Sequence, residues 1–140
     1  MTIEQRLAEL ADKDEIRELT ARYCFAVADA DTAAILALFC DDGVFKMRSR
    51  EFRGMAELKE MYDGTAVAPP RPFIQNHVID VDGDDAKGRC AVEIRMVHKG
   101  EAYTVAGHYF DTYRRVDGRW RFAERDFHTW HWVPLAHGWA

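Results

Sequence analysis

Along the first part of the chain, Ile16, Leu19, Tyr23 and Val27 recur at helical intervals and form an apolar stripe, which predicts a long amphipathic helix. Thr2 with Gln5 has the spacing of a capping box and marks its start. Asp31 can cap a second helix carrying Ile35, Leu38 and Phe39, which ends at Asp41-Asp42-Gly43. Residues 44–47 then read as a short strand, and Met55, Leu58, Met61 and Tyr62 as one face of a third helix. Residues 63–72, rich in Gly and Pro, read as a loop. Beyond them the pattern changes to strands over residues 73–81, 86–98, 101–116 and 119–132. Their turns fall at Asp82-Gly83-Asp84-Asp85, Lys99-Gly100 and Asp117-Gly118, the last a strong two-residue hairpin signal. Helices followed by an antiparallel meander indicate an α+β fold. Strands this long must bend, and a curved sheet wrapped on helices encloses a cavity.

The hairpin turns set a register. With Val116 opposite Arg119, Asp111 faces Glu124, Tyr109 faces Asp126, Gly107 faces His128 and Val105 faces Trp130. The concave face then carries Val92, Ile94, Met96, Tyr109, Asp111, Glu124, Asp126, His128 and Trp130, and the opposite face carries Arg89, Arg95, Arg121 and Arg125. On this reading Asp126 orients His128 as a general base, with Gly107 leaving room for a ligand beside it. Asp111 and Glu124 are either a carboxyl pair sharing a proton or two solvated charges at the open end of the sheet. Tyr23 can donate a hydrogen bond to a carbonyl or phenolate, or pack in the core. The tight turn at Gly83-Asp84 places His77 opposite Cys90, facing in. Val27, Phe45, Val92, Ile94, Met96, Val105, Tyr109 and Trp130 are the expected lining for a small hydrophobic, planar ligand. The aromatic run from Phe127 to Trp132 either serves that ligand or forms an oligomer contact.

Composition narrows the choice. The 140 residues suit one domain, and a net charge of −5 leaves no basic face for nucleic acid. No apolar run is long enough for a transmembrane helix, and the polar N-terminus does not read as a signal peptide, so a cytoplasmic protein without a membrane partner is expected. Cys24, Cys40 and Cys90 are far apart and set among apolar residues, as reduced core cysteines are. The six histidines lack metal-ligand spacing and no phosphate-binding glycine motif follows a strand, so neither a metal nor a nucleotide cofactor is expected.

Several segments carry a resemblance. Residues 16–45 with their Asp-Asp-Gly-Val-Phe exit, Phe52-Arg53-Gly54, Asn76 through Val81-Asp82-Gly83-Asp84, Gly107-His108-Tyr109 and Asp117-Gly118-Arg119-Trp120-Arg121-Phe122 resemble the SnoaL-like family of the nuclear-transport-factor-2-like superfamily. That superfamily includes scytalone dehydratase, ketosteroid isomerase, polyketide cyclases and hexachlorocyclohexane dehydrochlorinase. The tail Trp132-Val133-Pro134-Leu135 is similar to the region after the last strand of the dehydrochlorinase. The resemblance implies a cone-shaped α+β barrel, a deep pocket and a homo-oligomer, dimer or trimer. Its register points Asn76, rather than His77, inward. The dehydratase-like members keep an Asp on the first helix and a His at the start of the sheet; those positions align here with Ala28 and with Arg71 or Pro72. The dyad is therefore not carried over. The resulting expectation is a cofactor-free lyase or isomerase using Tyr23, His77, Glu124, Asp126 and His128 on a small hydrophobic substrate. The alternative is a non-catalytic member that binds a ligand or a protein.

Overall fold

The computed structural model describes residues 1–139. Helix α1 spans Ile3–Ala28, and its start is the expected reciprocal cap: the Thr2 hydroxyl accepts from the Gln5 backbone N–H, and the Gln5 amide oxygen accepts from that of Thr2. It buries Ile16, Leu19, Tyr23 and Val27. Among the described residues no helix is long and apolar enough to cross a membrane.

Helix α2, capped by Asp31, covers only Thr32–Leu36. Leu38 and Phe39, expected on this helix, lie beyond it. The Leu38 carbonyl accepts from the Phe122 backbone N–H, and the Phe39 and Phe122 rings pack 5.2 Å apart in the core. That sheet bond and buried aromatic contact outcompete another helical turn. Strand β1 therefore runs Phe39–Met47 and pairs with a short strand not anticipated from sequence, β2 (Arg50–Arg53). Helix α3 follows at Gly54–Thr65. The long strands are β3 (Arg71–Asp82), β4 (Asp85–His98), β5 (Glu101–Val116) and β6 (Arg119–Pro134).

The class is α+β, with one six-stranded sheet in the order β2-β1-β6-β5-β4-β3. Two expectations are corrected. The sheet is mixed, because β1 runs parallel to β6, and it is open rather than a closed barrel, with β2 and β3 as edges. The Lys99-Gly100 and Asp117-Gly118 turns have positive φ at both residues, as two-residue hairpins require.

The β5–β6 register decides which side chains reach the interior. It starts as expected, with Val116 opposite Arg119 and Tyr113 opposite Phe122. Ala123 is then an extra residue on β6, so Asp111 meets Arg125 and Tyr109 meets Phe127. Trp130 is a second extra residue, after which Val105 meets Trp132. Each bulge inverts the faces of β6. Arg125, expected outside, is fully buried, and Phe127 is buried beside it.

Candidate functional site

Between the concave face of the sheet, α1 and α3 lies a chamber of about 400 Å³. Val27, Phe45, Met61, Ile94, Met96, Phe127 and Trp132 supply its apolar wall. Its polar groups differ by depth. Tyr23, Tyr62 and Tyr109 form the floor, while His98 and Lys99 reach the chamber from the end of β4 and its turn. Its lining contains neither Asp nor Glu.

The floor is built from three elements. Tyr23 comes from the apolar stripe of α1, Tyr62 from the last turn of α3, and Tyr109 from the inward face of β5. The Tyr23 and Tyr62 hydroxyls share a 2.7 Å hydrogen bond. Two hydroxyls bring two hydrogens and that bond uses one, so the pair keeps a hydrogen to donate. Burial pushes the Tyr23 phenol up to about 12 against the opposing charge of Arg125, and burial raises Tyr62 and Tyr109 as well. All three are neutral donors at physiological pH.

Beneath the floor lies a buried polar network. The Arg125 guanidinium stacks on the Tyr109 ring at 3.7 Å and on Tyr23 and Phe122 at 4.4 Å. Its Nε and Nη2 donate to the two Asp111 carboxylate oxygens at 2.9 and 3.1 Å. The Tyr113 hydroxyl donates to Asp111 at 2.8 Å and lies 3.0 Å from His77 Nε2. Since the Tyr113 hydrogen is committed to Asp111, His77 Nε2 is the donor in that second contact. Burial acts to lower the pKa of Arg125, but the Asp111 carboxylate outweighs it and holds the group charged. Burial pushes His77 down to about 4, leaving a neutral imidazole. Gly88, opposite Asp111, makes room for the network, because a Cβ there would meet the Tyr113 hydroxyl at 2.8 Å.

His77, Cys90 and Asp111 place ligand-type atoms within 4.8 Å of one another. Both Asp111 oxygens are already engaged by Arg125 and Tyr113, and the guanidinium charge opposes a second cation. The donor set fits an ion-pair network better than a metal centre. Burial raises the thiols of Cys24 to about 11 and Cys90 to about 12, so neither is a ready nucleophile.

Of the residues expected to share a pocket, Tyr23, Val27, Phe45, Ile94, Met96 and Tyr109 line the chamber. Val92 and Val105 are buried in the core but do not reach its wall. His77 faces inward, because a register shift between Gln75 and Val78 leaves Asn76 exposed at a positive φ. It joins the network under the floor and does not line the chamber. Glu124, Asp126, His128 and Trp130 are corrections, since the first bulge turns this part of β6 outward and the second leaves Trp130 unpaired. Glu124 pairs with Lys46 at 3.0 Å. Asp126 and His128 do meet, at 3.0 Å, but on the outer face with the imidazole half-exposed. Trp130 is 59% exposed and stacks on His108. Gly107 leaves no room for a ligand: a Cβ there would lie 2.1 Å from the His128 carbonyl oxygen.

A family model described as a SnoaL-like domain matches residues 8–126. The chain belongs to the SnoaL-like domain family. Comparison with curated proteins returned no match. Among solved structures, this SnoaL-like chain is similar to a protein of unknown function from Mycobacterium tuberculosis, with 30% identity and a TM-score of 0.80 over 86% of this chain and 77% of that one. It is similar to a provisionally named aromatic ring hydroxylase from Novosphingobium aromaticivorans, with 25% identity and a TM-score of 0.84 over 89% and 94% of the two chains. A provisionally named scytalone dehydratase from the same organism shares the fold at 22% identity, with a TM-score of 0.82 over 94% and 91%. Neighbours of the SnoaL-like chain thus carry lyase-type names alongside proteins of unknown function.

Sequence reasoning missed Arg125 and Tyr62 as site residues, and within the aromatic run it named for the ligand it did not single out Phe127 and Trp132, the two that line the chamber. One signal was available. The apolar positions of β6 are even at Trp120 and Phe122, odd at Phe127 and even again at Trp132, a double change of parity that only bulges reconcile with one buried face.

Proposed function

We propose that this SnoaL-like protein is a cofactor-free lyase or isomerase that moves protons on a small hydrophobic, aromatic carbonyl compound held in the chamber. The observation that carries the reading is the floor: neutral phenols with a hydrogen to donate, at the closed end of an otherwise apolar cavity. At about 400 Å³ the chamber falls within the ordinary range of small-molecule sites, roughly 300–1,000 Å³.

A substrate carbonyl oxygen accepts a hydrogen bond from the Tyr23–Tyr62 pair or from Tyr109. His98, the imidazole of the lining, takes a proton from the carbon next to the carbonyl. The C–H electron pair becomes the new C=C bond, and negative charge collects on the oxygen, where the phenols stabilise it. Return of the proton to a different carbon completes an isomerisation. Transfer of it to a departing β-hydroxyl, which leaves as water, completes a dehydration. Arg125 stays charged under the phenol rings and favours negative charge near them.

The test is turnover of aromatic β-hydroxy ketones and unconjugated enones, followed by ultraviolet absorbance. Tyr23→Phe and Tyr62→Phe are expected to lower kcat by about 10- to 100-fold, somewhat less than the loss of a dedicated oxyanion donor. Unchanged turnover in both variants overturns the role of the floor.

A second reading is favoured by Ala28, and Arg71 or Pro72, at the dyad positions and by the outward Asp126–His128 pair. It makes the chamber a carrier site that binds without reacting, and saturable binding with no turnover across the panel supports it. For either reading we propose pairing with further copies of the chain through the outer face, where Phe73, Val97, Phe110 and Trp130 are exposed.

A further inference from the structure

The chain carries a net charge of −5, yet the chamber's lining holds no carboxylate and its charged side chain is a lysine. Lys99 lines it from the β4–β5 turn. Arg48, in the β1–β2 turn, lies 4.4 Å over the ring of Trp132, itself part of the wall. His98 stands next to Lys99. Among the described residues Lys99 and Arg48 have no carboxylate within 4.0 Å, as is also true of Lys87 and several arginines, so it is their place beside the chamber that sets them apart. Both also occupy turn positions with positive φ, 50° for Lys99 and 57° for Arg48, where Asn, Asp or Gly is the low-strain choice. Two unpaired cations therefore stand at two hairpin tips beside an apolar cavity in an acidic protein.

We propose that the chamber selects a monoanionic ligand: an aromatic or alicyclic carboxylate whose ring fills the apolar interior and whose carboxylate lies at Lys99, Arg48 and His98. The inference rests on the chamber being the ligand site, as proposed above, and names the class of compound it takes. The apolar wall supplies most of the affinity, and the cations supply the choice of charge. Because these groups are near solvent, each contributes modestly, about 1.5- to 5-fold, and salt screens the effect.

The experiment is calorimetric titration of the full chain with 2-naphthoate and its neutral isostere 2-naphthamide, at 20 mM and at 500 mM NaCl. Wild type is expected to prefer the acid by about tenfold at low salt and by about twofold at high salt. Lys99→Met combined with Arg48→Met should abolish the preference and leave the amide affinity unchanged. Lys87→Met, on the outer face, should alter neither. Val27→Trp and Ile94→Trp, each of which fills the chamber, should weaken both compounds. Equal affinity for acid and amide, with both weakened by the filling variants, overturns the anion inference while the chamber stands. Preference for the acid that survives the filling variants places the anion elsewhere and overturns it too. Binding of neither compound overturns the chamber as a ligand site and this inference with it.

Discussion

Arg125 and His128 are near neighbours on β6, yet one is sealed in the core and the other stands half in solvent. Each lies against an Asp carboxylate, Arg125 in an ion pair with Asp111 at 2.9 Å and His128 with Nε2 3.0 Å from Asp126. The inner pair has no water to fall back on. Its polar groups depend on protein partners, hence the bidentate contact, the Tyr113 hydroxyl and the stacked rings, and among the described residues only Arg125 Nη1 of this pair lacks one. The outer pair is hydrated and largely optional. The contrast teaches that the same charge chemistry specifies structure on one face of a strand and decorates it on the other, and that bulges decide which is which.

The largest expected effect breaks the inner pair. Arg125→Ala or Asp111→Ala leaves an uncompensated buried charge and should cost about 3–5 kcal/mol in urea unfolding. Replacing both together, Arg125→Met with Asp111→Leu, should recover most of that loss. A single variant within 1 kcal/mol of wild type would show that water reaches the pair. Next comes the bulge itself. Gly107→Ala places a Cβ against the His128 carbonyl and should cost about 2–3 kcal/mol, read from the same unfolding curves.

Smaller again is the acid response of His77. Its imidazole sits at about 4 in the folded chain and near the ordinary 6.5 when unfolded. Between these values the unfolded chain binds a proton that the folded chain refuses. This contribution to stability is complete above about pH 6.5 and is lost as pH falls through 4. Thermal melting from pH 7 to pH 4.5 should therefore fall less steeply in His77→Gln than in wild type. The charges acting on His77 are Asp111, Arg125 and Arg17, with Tyr113 and Cys90 beside it, so the comparison is made at one ionic strength. The smallest effect is on the outside. His128→Ala and Asp126→Asn should change stability by no more than about 0.5 kcal/mol and leave chamber affinity untouched. A tenfold loss of turnover in His128→Ala would reverse the assignment of faces.

The fold was legible because it rests on strong periodic signals: the stripe from Ile16 to Val27, the two hairpin turns and the long strands, all in place. The first half of the chamber was legible for the same reason, since Tyr23, Val27, Ile94, Met96 and Tyr109 lie on elements read at the correct phase. The second half was not. A register propagated from Asp117-Gly118 is reliable only to the first irregularity, and Ala123 comes soon after the turn. An Arg in a strand is ordinarily exposed, so nothing in its chemistry announced that Arg125 is buried. Tyr62 was placed on the right face of the right helix, but its partnership with Tyr23 depends on how α3 crosses α1, which no local pattern encodes.

Because the two extra residues on β6 bracket positions 124–129, that stretch behaves as an invertible cassette. Deleting Ala123 removes the surplus residue and leaves every later pair in place, with Arg125 still opposite Asp111 and His128 still outward. Keeping Ala123 but drawing it into the ladder shifts the later residues by one and exchanges the two faces. Whether one alanine is skipped or paired thus separates a scaffold built on a buried guanidinium from one that offers an acid–imidazole couple to whatever occupies the hollow.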